Sequence, residues 1–401
     1  MKLNPKILGL VAGVALGAVG IGAAVASQQV PEIAQGNGPA TPISASSAPP
    51  SPTTPTPSAQ VPSTKPSAPP GQTAKPPVEP ARPVTARLDL NKLGRGKAPA
   101  VPYVSRRTVI SGDLRIPQTG GDGTVTDLAE AAGGLLIVTQ VTETMTGMQV
   151  FDAAGKRTAV INHVTTVESS ADAATSAYTV QPRSSDGSEI AGFTVTFRDN
   201  RTGRTKNLTV PGQLGARVEA VMGTTVYFSA EPREASSARS LYRWRTAGST
   251  AQRVGTVPQP TAVSADATLA ASMTSITDYG SCSALVDVSS GTARWKTCDF
   301  QIEQISPGRT RVLAGPAYAD GYAPLEFSAL DARSGKLLRR WTGLPFIRSV
   351  LEDDDHVLTV AEQDGKSAIV RCTISTGACE LATEQRDGTG EDGGERYWGL
   401  G

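Results

Sequence analysis

From about residue 103 to the C-terminus, short runs of four to eight apolar-rich positions alternate with Gly, Asp and Ser clusters, and no helical period is sustained. One unit recurs. It has an apolar strand, a polar loop, a second strand, a tight glycine turn and a third strand. The turn glycines are Gly155, Gly203, Gly248, Gly291, Gly335 and Gly377, so successive units are 48, 45, 43, 44 and 42 residues apart. The strand before each turn reads Met148–Asp152, Phe193–Arg198, Leu241–Arg245, Ala284–Val288, Leu325–Asp331 and Ala368–Thr373. Further upstream lie runs that read as fully buried, such as Leu135–Val141, Leu269–Met273 and Val357–Ala361.

A 40–50-residue period of three or four short strands is the signature of a β-propeller blade. One blade cannot bury both of its faces, so blades stack around an axis and the ring closes to leave no long open edge. The predicted fold class is therefore all-β, a propeller. Six units fall within roughly residues 118–384. The leftover strand at residues 107–116 cannot stand alone and is expected to complete a blade with chain from the other end. A seventh blade split between residues 95–118 and 385–401 is the alternative.

The N-terminal pattern is different. Met1–Lys6 carries two lysines, and Ile7–Ala26 follows without a charged side chain. Twenty residues at helical rise span roughly 30 Å, the thickness of the hydrocarbon core. Lysines ahead of the span place residues 1–6 in the cytoplasm and everything after residue 26 outside. The run reads as a transmembrane signal anchor; Ala24-Val25-Ala26 also has the form of a signal-peptide cleavage site, which would give a secreted protein. Residues 27–102 read as a disordered Pro/Ser/Thr/Ala-rich spacer, with 15 prolines between residues 39 and 83. The propeller domain is placed at residues 103–401.

Some motifs carry a resemblance. Ser264-Ala265-Asp266-Ala267-Thr268-Leu269-Ala270 resembles the Ser-x-Asp-x-x-x-Leu-Ala entry of WD40-like propellers of the TolB type, and Ser306-Pro307-Gly308-Arg309 begins a weaker copy. The stretch Glu352-Asp353-Asp354-Asp355-His356, followed by Ile369-Val370-Arg371-Cys372 and Thr376-Gly377-Ala378-Cys379, is similar to the last blade of membrane-anchored propellers from actinomycete envelopes. The resemblance implies an envelope location and a propeller fold. It does not imply a particular activity, because propellers host enzymes, scaffolds and binders alike.

Composition narrows the chemistry. The net charge is +1, there are only two histidines, and aromatics make up 5%. Residues 1–102 hold 9 Lys and Arg against 3 Asp and Glu, and the remainder holds 29 against 34, a net of −5. That balance argues against a nucleic-acid surface and leaves room for a basic protein partner. The four cysteines are centred pairwise on two hairpin turns. Cys282 and Cys298 flank residue 290, and Cys372 and Cys379 flank residues 375–376, so each pair is expected to bridge adjacent antiparallel strands in an oxidising compartment. Free thiols and a metal site are the rival readings. His163 and His356 belong to no catalytic or metal signature. Asn200 and Asn207 match the glycosylation pattern but read as turn residues, and Glu352–Asp355 reads as a solvated turn. Tyr242, Arg243, Trp244, Arg245, Trp295, Arg339, Arg340 and Trp341 are weighed as an interaction surface, with packing between blades as their ordinary role. No catalytic residues, cofactor or metal are expected from sequence. The functional expectation is a non-catalytic extracytoplasmic binding or scaffold propeller, tethered through residues 7–26, that recognises a protein or a cell-envelope component. The alternative is a carbohydrate-active hydrolase or lyase using carboxylates gathered in the central funnel, and a receptor-like sensor is a third reading.

Overall fold

The computed structural model describes residues 84–118, 123–142, 145–232, 238–278, 280–319 and 323–387. The predicted span at residues 7–26, most of the spacer and the last fourteen residues lie outside them. Among the described residues no helix is long and apolar enough to cross a membrane. The structure is built almost wholly of strands arranged in seven sheets.

Blades 2 to 7 each have four antiparallel strands that follow one another in the sheet as in the chain. They occupy residues 124–162, 164–210, 213–258, 260–297, 300–342 and 346–381. The first strands of successive blades touch one another around the axis, and the fourth strands lie outermost. Blade 1 is smaller, with only Tyr103–Ser105, Thr108–Ser111 and Leu114–Pro117.

The apolar cores prove the closure. Seven clusters of buried side chains occur among the described residues, and each lies between two neighbouring blades. Tyr103 packs on Val350, Leu358 and Ile369 of blade 7, while Val104, Val109 and Ile116 pack on Val125, Leu128 and Ile137 of blade 2. Blade 1 is thus the keystone between the ends of the ring. The second strands, such as Gly134–Gln140 and His356–Gln363, are buried on both faces because a blade touches a neighbour on each side. That explains their near-continuous apolar sequence.

Three expectations change. The ring has seven blades, not six. The seventh sheet is formed by residues 103–117 alone, so it does not combine the two chain ends; Arg386–Asp387 instead adds to the third strand of blade 7. Residues 84–102, assigned to the spacer by composition, are a strap built onto the propeller. Val84–Arg87 pairs in parallel with Leu337–Thr342 on the outer edge of blade 6, a single 3-10 turn follows at Leu90–Lys92, and Arg95 bridges to Leu381 on blade 7. Leu88 and Leu90 enter the blade 6/7 core beside Trp341, Phe327 and Phe346. The strap therefore seals an interface that composition alone marked as ending at residue 103.

The glycine turns join the third and fourth strands of blades 2 to 7. Five of the six glycines are left-handed, with φ between 71° and 79°. In blades 2, 3 and 6 the aspartate before the turn accepts N–H bonds from it, as Asp331 does from Arg333 and Ser334. Gly335 is constrained twice. Its φ is +71°, and an added Cβ would stand 2.7 Å from the Trp295 ring of the preceding blade. Gly335→Ala is expected to cost about 1–3 kcal/mol, from left-handed strain plus overpacking, and urea denaturation checks it. A cost below ~0.5 kcal/mol would show that Trp295 yields freely.

Both cysteine pairs are bridged as expected. Cys372 and Cys379 are direct partners in their hairpin, and Cys282 and Cys298 lie next in register to the Ser283/Thr297 pair. The chain-entropy argument assigns roughly 2–3 kcal/mol to loops of these lengths.

Candidate functional site at the axial channel

The innermost strand of every four-stranded blade carries a β-bulge. The extra residues are Thr126, Thr165, Glu219, Thr261, Glu303 and Ile347, and each follows a buried apolar residue or proline: Val125, Val164, Val218, Pro260, Ile302 and Phe346. The buried residue fixes the strand in the blade interface, and the bulge then turns the next side chains toward the axis. The residue after the bulge ties blades together. Asp127, Thr166 and Gln304 accept from the backbone N–H of Val167, Val218 and Leu351 of the following blade, at 3.0, 3.0 and 2.5 Å.

Besides Glu130 near the end of its strand, these strands carry six charged residues: Asp127, Glu168, Arg217, Glu219, Glu303 and Arg348. Glu168 of blade 3 feels the charges of Asp127 from blade 2, Glu219 and Arg217 from blade 4 and Arg348 from blade 7. Only an axial position brings those blades within reach of one side chain. Arg348 Nη1 donates to the Thr126 carbonyl at 3.5 Å, so blades 7 and 2 meet at the axis, inside blade 1.

The electrostatics follow from this crowding. Burial raises the Glu168 carboxyl to about 8, with like charge from Asp127 and Glu219 adding to it. Its side chain still opens on the water of the channel, while protein surrounds it on the other sides. Burial also lifts Asp127, against the Val167 N–H and Arg348; it lifts Glu219, against the Ser229 hydroxyl; and it lifts Glu303 with nothing opposing it. These carboxyls hold protons more tightly folded than unfolded. The stability that these four carboxyls contribute is therefore expected to be full below the ordinary carboxylate range, near pH 4.5, and to be lost as pH rises toward about 8. Glu168→Gln removes its own share of that slope. A stability–pH curve equally steep in wild type and Glu168→Gln would contradict the assignment.

One end of the channel widens into a cleft of about 530 Å³ between blades 4, 5 and 6. Arg217, Glu219, Glu303 and Thr261 line it together with Met273, Ile276, Pro260 and Ile302. Arg239 is held there by the Gly215 carbonyl, the Ser229 hydroxyl and Glu231, at 2.8, 2.9 and 2.7 Å. Ser229 in turn donates to Glu219 at 2.5 Å. Such an array offers fixed donors and acceptors of the kind that charged or polyhydroxylated groups require.

The residues singled out from sequence lie elsewhere. Trp244 and Trp341 are buried; Trp244 donates to the Gly248 carbonyl, and Trp341 stacks on Phe327. Tyr242 stacks on Phe228, and Trp295 donates to Ala332 of the next blade. Arg339 is buried and donates to the carbonyls of Ile374 and Ser375. These side chains pack and tie blades. The acidic run divides: Asp353 binds His356, Asp354 accepts from Gly308 N–H, and Asp355 holds Ser375. Glu352 departs from the expected solvated turn, because it is buried in an ion pair with Arg371. Asn200 is engaged with Ser176 and Ala173 inside its turn, whereas Asn207 is exposed. His163 joins blades 2 and 3 at a left-handed position. Among the described residues no three His, Cys, Asp or Glu side chains form a group able to hold a metal.

The channel charges escape a sequence reading tuned to the glycine turns, because their strands lie on the far side of each blade. A signal existed: Glu219, Thr261 and Glu303 stand 42 residues apart, one blade each.

No protein-family model matches the chain, and no curated protein matches it by sequence. Solved structures resemble it in fold. The β-propeller domain of the trilobed protease from Pyrococcus furiosus is 8% identical over 64% of this chain and 84% of that one, with a TM-score of 0.46. The acylaminoacyl peptidase of Pyrococcus horikoshii is 9% identical over 64% of this chain, with a TM-score of 0.47, and this chain spans only 45% of its length. TolB from Acinetobacter baumannii is 14% identical over 60% of this chain and 65% of its own, with a TM-score of 0.40. No residue role or activity passes from them to this chain, which its own strand pairings and seven interblade cores make a seven-bladed β-propeller.

Proposed function

We propose that this propeller is a non-catalytic, extracytoplasmic binding or scaffold module, membrane-tethered through residues 7–26, that recognises a protein or cell-envelope component at the cleft end of its channel. The observation that carries the reading is the cleft itself, a concave site of about 530 Å³ in which fixed charges lie beside apolar side chains. The N-terminal apolar run and Pro-rich spacer support the location, as does the likeness of the last blade to membrane-anchored actinomycete propellers. The two disulfides suit an oxidising exterior. Cleavage after Ala26 would release the same module as a secreted protein.

A second reading rests on a specific feature. Asp127, Glu168 and Glu219 gather at the axis, and Glu168 keeps its proton up to about pH 8, as a general acid of a glycan hydrolase or lyase would. Affinity capture with the oxidised full chain against envelope extract separates the two. Saturable recovery of one protein or polymer of unchanged composition is the expected result. A glycan that emerges shortened, with the shortening lost in Glu168→Gln, would replace the binding reading with the enzymatic one.

A further inference from the structure

Within the cleft the charges are unequally satisfied. Glu231 is spent on Arg239, and Glu219 accepts from Ser229. Arg239 is fixed by two further oxygens, so it is not free to reach across. Glu303 has no hydrogen-bond or ion-pair partner among the described residues, although the bulge in its strand aims it at the cleft. Beside it the Thr261 hydroxyl is shielded from solvent and also lacks a partner. The shielded Thr261 hydroxyl calls for a partner, and the Glu303 carboxylate, open to the cleft, presents an unpaired charge to a donor arriving from outside. Pro260, Ile302 and Met273 supply apolar wall, with Ile276 at 69% exposure on the rim, and Arg217, Gln259 and Gln301 also line the cleft.

Resting on the binding reading above, we propose that this cleft receives a lysine or arginine side chain of a protein partner, its charged head on Glu303 and Thr261 and its aliphatic stem along Met273 and Ile276. A basic side chain has this build, a donor-rich cation on several methylenes that pack on apolar surface while the head seeks an oxygen. A bare metal ion would leave Met273 and Ile276 without a role, and a neutral sugar would leave Glu303 without a counter-charge. With the strap included the propeller holds 33 Lys and Arg against 35 Asp and Glu, so the attraction for a basic side chain is local to Glu303, and it weakens with salt. Glu303 holds its proton above the ordinary carboxylate range because burial is uncompensated, and an incoming cation supplies the compensation.

The test uses the full chain with methyl labels on methionine and isoleucine and pentalysine as the probe, followed by NMR. Pentalysine is expected to shift the Met273 and Ile276 methyls saturably, with pentaglutamate leaving them in place. Glu303→Gln, which keeps shape and loses charge, is expected to weaken the interaction at least ten-fold while the other methyls report an intact fold. Ile276→Ser is expected to weaken it by a smaller factor. Three results overturn the inference: no shift at Met273 and Ile276, equal shifts with pentaglutamate, or unchanged affinity in Glu303→Gln. Pentalysine shifts confined to other methyls would overturn this site and leave the wider binding reading standing, because capture from envelope extract tests that reading separately.

Discussion

A chain that begins at residue 103 is expected to be less stable by more than about 5 kcal/mol than one that begins at residue 84, if it folds at all. The strap supplies Leu88 and Leu90, 5% and 0% exposed, to a core that also holds Trp341, Phe327 and Phe346. Leu90→Ala alone should cost ~2–5 kcal/mol, the range for a leucine whose cavity cannot collapse. The strap also satisfies backbone and side-chain groups. Leu88 N–H donates to Thr342, Leu90 N–H to Gln363, and Gly94 and Gly96 exchange bonds with Leu381. Its removal reopens the outer edge of blade 6, which Val84–Arg87 now covers, so the shortened chain should also self-associate. Urea denaturation and sedimentation of the two chains check both effects. Equal midpoints would mean that the strap is a passive passenger.

The second large effect is expected at Arg371. Its guanidinium forks onto both oxygens of Glu352, at 2.5 and 2.7 Å, reaches Glu380 at 3.2 Å and donates to the carbonyls of Lys97 and Ala98 at 2.9 Å. The side chains of Arg371 and Glu352 are only 10% and 5% exposed. Arg371→Met should cost about 3–5 kcal/mol, because it leaves the Glu352 carboxylate buried without its counter-charge and the strap carbonyls without donors. Arg371→Lys keeps the charge and loses the fork, so an intermediate loss is expected. Glu352 also accepts from Ala100 N–H, which makes the pair the fastener of strap to blade 7. Limited proteolysis should therefore cut residues 95–102 of Arg371→Met before the blades. A loss under ~1 kcal/mol with an intact strap would sink this account.

These two sites show where sequence and structure part. The glycine turns and doubly buried second strands were legible because they repeat a strong local signal, a left-handed turn after an aspartate and a run without polar gaps. The cysteine pairs were legible because hairpin symmetry fixes which residues face each other. The innermost strands were harder to read. Each faces a blade on one side and channel water on the other, so Thr165-Thr166-Val167-Glu168 and Gln301-Ile302-Glu303-Gln304 look like polar loop. Their bulges also break the two-residue alternation that marks a strand. Blade 1 escapes a count of repeats because its strands are three or four residues long and lack the glycine turn of the others. The strap looks like spacer because its composition is basic and contains proline, while Leu88 and Leu90 find their core only in the distant blades 6 and 7. Nothing local announces that Arg371 and Glu352, nineteen residues apart, close on a segment more than 250 residues upstream.

The central claim is that a partner binds at the cleft end of the channel and leaves chemically unchanged. Hydrogen–deuterium exchange of the full chain, with and without the species captured from envelope extract, tests it most directly. Protection is expected at Pro260–Val263, Phe300–Ile305 and residues 238–239, which frame the cleft, and the captured species should keep its mass. Protection confined to the glycine turns at the opposite end, or to the outer strands, would contradict the account.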